Sequence, residues 1–189
     1  MTGALPGVSD LRRLASAAST QDLAKDLARG GAADGTLVWA LRQTRGRGRL
    51  DRRWKSGPGG LYFSLVLKPS FAPDRLADFS IMTAEAGAEA LSRLTGLKLA
   101  VKPPNDIMAP GPGGAPLKVC GILVEACGGA SSLDWLVLGA GINVNNRLRL
   151  PPDALPASSL RDLTAKTWPL EAVLRAFLAG FLRRYKLFY

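Results

Sequence analysis

The segment Gln43 to Ser56 reads Gln-Thr-Arg-Gly-Arg-Gly-Arg-Leu-Asp-Arg-Arg-Trp-Lys-Ser and concentrates the charge of the chain. Arg45, Arg47 and Arg49 alternate with Gly46 and Gly48, so the backbone can turn sharply and approach a bound group while guanidinium forks point at it. From Arg42 to Lys55 there are seven basic residues against one acid, Asp51, a local net charge of +6 in a chain of +10. That is chemistry for holding an anion: a carboxylate, a phosphate or a nucleic-acid backbone. Histidine is absent, which removes Ser-His-Asp and Cys-His nucleophilic machinery and the commonest transition-metal ligand. Any reaction must run on Lys, Arg, Asp and backbone groups.

A chain of 189 residues with 47% hydrophobic content can bury a substantial core and suits one compact domain. No apolar run approaches the roughly 20 residues a bilayer span needs, and the N-terminus lacks a basic-then-apolar leader, so a cytoplasmic location is expected. In a reducing compartment Cys120 and Cys127 stay thiols. The isoelectric point of 10.2 alone would suit nucleic acid, but clustering of charge in one glycine-bearing loop points to a small anionic ligand.

Residues 1–18 are weakly patterned and read as a flexible lead-in. Ser19 and Thr20 open a short helix to Arg29 that stops at Gly30-Gly31, with Ser19 and Asp22 spaced as a capping box. Thr36 to Leu41 and Leu61 to Leu67 are strands, so the basic loop bridges them at a length that marks functional connections. Pro73 to Gly96 carries apolar residues at helical spacing. Lys98 to Val101 and Ile107-Met108 are short strands on either side of Pro103-Pro104, a kink that displays Asn105 and Asp106. Leu117 to Glu125 and Trp135 to Val144 form a long antiparallel pair, Leu150 to Thr167 an irregular crossing, and Leu170 to Phe188 a closing helix. The order fits an α+β domain: a mixed, mostly antiparallel sheet with helices on one face and the site on the other.

Four segments together carry a resemblance. They are Gln43-x-x-Gly46-Arg-Gly-Arg49 with Trp54, Lys102-x-x-Asn105-Asp106-Ile107, Lys118-x-x-Gly121-Ile-Leu-Val-Glu125, and Gly139-x-Gly141-Ile-Asn143-Val-Asn145. In this order and spacing they resemble the signature blocks of biotin protein ligases, with residues 19–189 as the catalytic domain. Neither an N-terminal DNA-binding segment nor a C-terminal SH3-like domain of that family is seen. The resemblance implies two steps: biotin and ATP give biotinyl-5'-adenylate and pyrophosphate, then a lysine of a biotin carboxyl carrier protein takes the biotinyl group. It implies biotin contacts at Ser19, Thr20, Gln43, Gly46, Arg47, Lys118 and Gly121, and nucleotide contacts at Arg49, Arg52, Trp54, Asn105 and Asn143. Lys118, Arg49 and Arg52 would carry the chemistry, Asp106 would lie near Mg²⁺, and a homodimer is compatible with it.

Departures from the family pattern include Asp51 where a glycine is usual, Pro103 for a tryptophan and Gln21 for an asparagine. Read without the resemblance, Asn105-Asp106 is a turn, Lys118 and Glu125 are exposed strand residues, and Ser19-Thr20 is only a cap. Lipoate ligation is a second enzyme reading, which the Gly-Arg loop disfavours because lipoate has no ureido group to clamp. A degenerate biotin-binding protein is a third. An arginine-rich nucleic-acid module, of a different class, is disfavoured because the loop is flanked by core strands rather than lying in a tail.

Overall fold

The computed structural model describes residues 4–50, 52–148 and 155–188. Seven strands form one sheet in the order β1-β2-β3-β7-β6-β5-β4. These are β1 (Asp10–Leu14), β2 (Thr36–Ala40), β3 (Leu61–Leu67), β4 (Ala100–Lys102), β5 (Asp106–Pro110), β6 (Pro116–Gly128) and β7 (Leu133–Ile142). Only β1 and β2 run parallel; every other neighbouring pair is antiparallel. The helices are α1 (Thr20–Arg29), α2 (Leu76–Thr95), α3 (Leu160–Thr164) and α4 (Leu170–Tyr185).

All seven residues of β3 are buried, which requires cover on both faces of the sheet. On one face α2 and α4 close the larger core, in which Phe177 meets Phe63 edge to face at 5.4 Å and Phe79 gathers Phe71, Phe181, Tyr185 and Phe188. On the other, Ala24 and Ala28 of α1 pack on Val38, Val66 and Val137. The mixed, mostly antiparallel class stands, but the expectation that all helices share one face does not. Period-2 alternation in β2, β3 and β7 hands every second side chain to α1.

Two further expectations change. The lead-in contains β1, an edge strand in register with β2 from Asp10 opposite Thr36 to Leu14 opposite Ala40. The irregular crossing contains α3, whose start is capped by Ser159 accepting from the Asp162 amide. Other boundaries fall close to the sequence reading. Ser19 accepts from the Asp22 amide at the start of α1, and α2 stops at Gly96, whose left-handed φ of 78° is the usual helix exit. No helix among the described residues is long and apolar enough to cross a membrane.

Candidate active site

The basic loop between β2 and β3 is an irregular hairpin. Gln43 pairs with Ser56 and Arg47 with Arg53 as isolated bridges. The Gly48 amide donates to Arg52 O at 2.8 Å and the Trp54 amide to Gly46 O at 2.9 Å. At Gly46 a Cβ would lie 2.5 Å from Trp54 O and 2.6 Å from Ser56 Oγ, so the tight crossing admits only glycine. Asp51 lies outside the described residues.

This hairpin roofs a cleft whose floor is the middle of β6 and β7 and whose back wall is the start of α1. Thr20 holds Gln43 there: its backbone amide donates to Gln43 Oε1 at 2.7 Å and its hydroxyl at 3.1 Å, while Gln43 Nε2 donates to Ser56 Oγ at 2.8 Å. Ser64 Oγ stands within 3.0 Å of both Thr20 Oγ1 and Gln21 Oε1. A continuous polar chain therefore crosses an otherwise apolar wall, with donors and acceptors already oriented.

The opposite end of the cleft is cationic. Lys118 Nζ lies 2.6 Å from Asp106 Oδ1, with the two side chains 19% and 16% exposed, and 5.1 Å from the centroid of Trp54. Asp106 Oδ1 makes no aligned hydrogen bond, so the contact is an ion pair of charges rather than a directed bond. Arg49 Nη1 donates to Asn105 Oδ1 at 3.1 Å, and Asn105 Nδ2 to Ile122 O at 2.8 Å. The Trp54 indole lies on the glycines of the floor. A Cβ at Gly141 would sit 2.5 Å from Trp54 Nε1, and one at Gly121 would sit 2.9 Å from Trp54 Cζ3. Its buried Nε1 has no hydrogen-bond partner among the described residues.

The structure thus gathers Thr20, Gln43, Arg47, Arg49, Trp54, Asn105, Lys118 and Gly121 around one cleft. Five other candidates stand outside the lining. Ser19 is the buried helix cap, and Gly46 shapes the hairpin from behind. Arg52 is exposed, with its backbone carbonyl in the hairpin. Asn143 is buried under Lys118, accepting from Asn146 Nδ2 at 3.1 Å and donating from its backbone to Val119 O at 2.8 Å. Asp106, expected near a metal, is here the counter-ion of Lys118. No group of three His, Cys, Asp or Glu fit to hold a metal occurs among the described residues. A magnesium ion typically takes one or two carboxylates plus substrate phosphates, and a lone carboxylate already paired to a lysine is not a preformed protein cage for it.

Ser64 was missed from sequence, and Gln21 was noted only as a departure from the family pattern. A hydroxyl in the middle of the apolar run Leu-Tyr-Phe-Ser-Leu-Val-Leu was the available signal. Two titratable groups near the cleft depart from ordinary behaviour. Burial would raise the Asp22 carboxyl, but the hydrogen bond and charge of Arg47, with help from Lys25, hold it below the usual range. Burial, reinforced by the Asp106 carboxylate and opposed by Lys118, pushes the Cys120 thiol far up, so it stays protonated.

A glycine-floored cleft on a mixed sheet, roofed by an arginine hairpin and faced by a strand lysine, belongs to a fold shared with known proteins. The model of the Biotin/lipoate A/B protein ligase family matches residues 14–143, and the chain belongs to that family. It is 34% identical over 171 residues to the bifunctional ligase/repressor BirA of Bacillus subtilis, covering 89% of this chain and 51% of that protein. It is 31% identical over 151 residues to the biotin--[acetyl-CoA-carboxylase] ligase of Paracoccus denitrificans, covering 77% and 61%. Among solved structures, the biotin protein ligase of Aquifex aeolicus in complex with biotin and ATP superposes with a TM-score of 0.77 at 34% identity, covering 95% of this chain and 72% of that one. The chain spans about half the length of the first curated relatives it matches.

Proposed function

We propose that this chain activates biotin with ATP and transfers it to a lysine of a biotin carboxyl carrier protein, in the cytoplasm. The observation that carries this reading is the polar chain Ser64, Thr20, Gln43, Ser56 at one end of the cleft facing the Lys118 ammonium at the other. A ureido ring needs donors and acceptors at one end, and its carboxylate needs a cation at the other. The named relatives support the same choice, since one is a biotin--[acetyl-CoA-carboxylase] ligase and one solved neighbour is a biotin protein ligase in complex with biotin and ATP.

In the first step a biotin carboxylate oxygen attacks the α-phosphorus of ATP, forming the mixed anhydride as pyrophosphate leaves. The obstacle is repulsion between two anions. Lys118, released from Asp106, would pair with the carboxylate, while Arg49 and Arg52 would offset charge on the phosphates. Gly121 would admit the flat ring against the strand, with Ser19, Thr20, Gln43, Gly46 and Arg47 shaping its ureido end. Trp54, Asn105 and Asn143 would serve the nucleotide side, Trp54 by sliding from the floor to pack on the base. Asp106 would be the carboxylate to meet a magnesium ion bound with the ATP phosphates, an ion that would supply charge neutralisation there. In the second step the carrier amine attacks the acyl carbon, loses a proton, and AMP departs. The hairpin would shield the anhydride from water in between.

Incubation with ATP, Mg²⁺ and either biotin or lipoate, following pyrophosphate, tests the reading. Release is expected with biotin. Release with lipoate alone would transfer the chain to the lipoate branch of its family.

A further inference from the structure

Glu125 ends the strand motif that begins at Lys118, on the same face of β6 as Gly121 and Leu123 and toward α1. Its carboxylate lies in a cluster of four charges. Arg47 Nη1 sits 2.7 Å from Asp22 Oδ1 and Arg47 Nη2 3.2 Å from Glu125 Oε1. Lys25 Nζ sits 2.9 Å from the same Glu125 oxygen and 3.5 Å from Asp22 Oδ1. Two bases and two acids alternate, so the cluster is neutral while each charge meets two of opposite sign. It also joins three separate elements: Asp22 and Lys25 from α1, Glu125 from β6 and Arg47 from the hairpin. Lys25 is only 13% exposed and Glu125 26%, whereas Arg47 is 39% and Asp22 47% exposed, so the inner pair is shielded from salt and the Arg47 contacts are open to it.

We infer that Glu125 and Asp22 are positioning residues that fasten the hairpin across the cleft by holding Arg47. Arg47 pairs with Arg53, and the next bonds in the hairpin are those of Gly48 with Arg52 and of Trp54 with Gly46. Fixing one guanidinium to both α1 and β6 therefore steadies both arms of the hairpin, the one that carries Arg49 and the one that carries Trp54. Loss of either acid removes one of the two carboxylates that hold Arg47 and leaves the hairpin to the other acid, to the Arg49–Asn105 bond and to Trp54 packed on the floor glycines. The role assigned rests on the proposed function only for its consequence, retention of an activated intermediate; the fastening itself is a property of the ligand-free chain.

The hairpin offers trypsin a run of arginines, so its opening can be read without any ligand. Limited trypsin digestion of the intact wild-type chain, Glu125→Gln and Asp22→Asn, with cleavage sites mapped by mass spectrometry, measures it. Each substitution removes two ion pairs; Glu125→Gln, at the less exposed acid, is expected to speed cleavage between Arg45 and Lys55 about fivefold and Asp22→Asn about threefold. Raising NaCl to about 1 M, where screening acts within about 3 Å, should shrink the difference between variants and wild type. In the biotin-dependent pyrophosphate assay, KM for biotin should rise by a similar factor, more than kcat falls. Hairpin cleavage within twofold of wild type in both variants, or acceleration spread evenly over the chain, overturns the inference. If wild type releases no pyrophosphate with biotin, the proposed function fails instead, and the digestion still decides the fastening.

Discussion

Removing either partner of the Lys118–Asp106 pair should produce two separable effects, one on stability and one on chemistry. The pair is 2.6 Å apart and mostly buried, so Lys118→Met leaves the Asp106 carboxylate without its cation in a poorly solvated place. Stranding one member of a fully buried pair costs about 3–5 kcal/mol. The cleft lets water reach this one, and about 1–2 kcal/mol is the expected loss for each single substitution. For a chain of this length that is a fall of roughly 2–8 °C in Tm. The double variant Lys118→Met with Asp106→Asn removes both charges and should recover to within about 1 kcal/mol of wild type, because a neutral pair carries no desolvation penalty. Activity should behave differently. Lys118 is assigned to stabilise charge on the substrate carboxylate, and losing such a group costs on the order of 10²–10³ in rate, which the double variant cannot restore. Thermal melts and pyrophosphate release on the four proteins make the test. Single variants as stable as wild type, or a double variant as unstable as both losses added, would refute the pairing; full activity in Lys118→Met would remove the lysine from the mechanism.

Other substitutions probe the cleft and its support. Gly141→Val would thrust a branched side chain into the Trp54 indole, where even a Cβ lies 2.5 Å from Nε1; biotin-dependent turnover should fall at least tenfold, with the circular dichroism spectrum unchanged. Leu50 is 81% exposed and holds a φ of 53° that costs a side chain about 1 kcal/mol; Leu50→Gly should therefore slow hairpin proteolysis severalfold. Cys127 is exposed and Cys120 buried with its thiol held protonated, so iodoacetamide at pH 8 should label one cysteine in the folded protein and two in urea. Because the Asp22 carboxyl is held below its unfolded value, its contribution is full above the ordinary carboxylate range and lost as pH falls through the folded value; Asp22→Asn should flatten that acid limb of the stability curve.

Elements with strong local signals were legible in the sequence. β3 occupies Leu61–Leu67 as expected, because a seven-residue apolar run bounded by glycines and a proline further on has few other solutions. The start of α1 followed from Ser19 and Asp22, and the long connection between β2 and β3 from its glycines and charge. β1 escaped because three of its five residues are exposed, and a strand that pairs on one side with little burial leaves no period to read. The placement of α1 on the second face depends on which alternate residues of β2, β3 and β7 meet it, a tertiary choice. The Lys118–Asp106 pair was equally hidden: it depends on the register of β5 on β6, which shifts between Ile107 and Met108. Ser19 and Asn143 carry family-like types, yet their side chains serve a helix cap and the underside of β6, because residue type alone does not say which side of a strand or turn faces a cleft.

The central claim is that the cleft recognises biotin through Thr20 and Gln43 at one end and Lys118 at the other. Isothermal calorimetry of the wild-type chain and Gln43→Ala with biotin, without nucleotide, tests it most directly. The predicted result is saturable binding of one biotin per chain, weakened at least tenfold in Gln43→Ala because Thr20 loses the side chain it holds. Absence of binding heat at millimolar biotin, confirmed by no displacement of a fluorescent biotin probe, would contradict it.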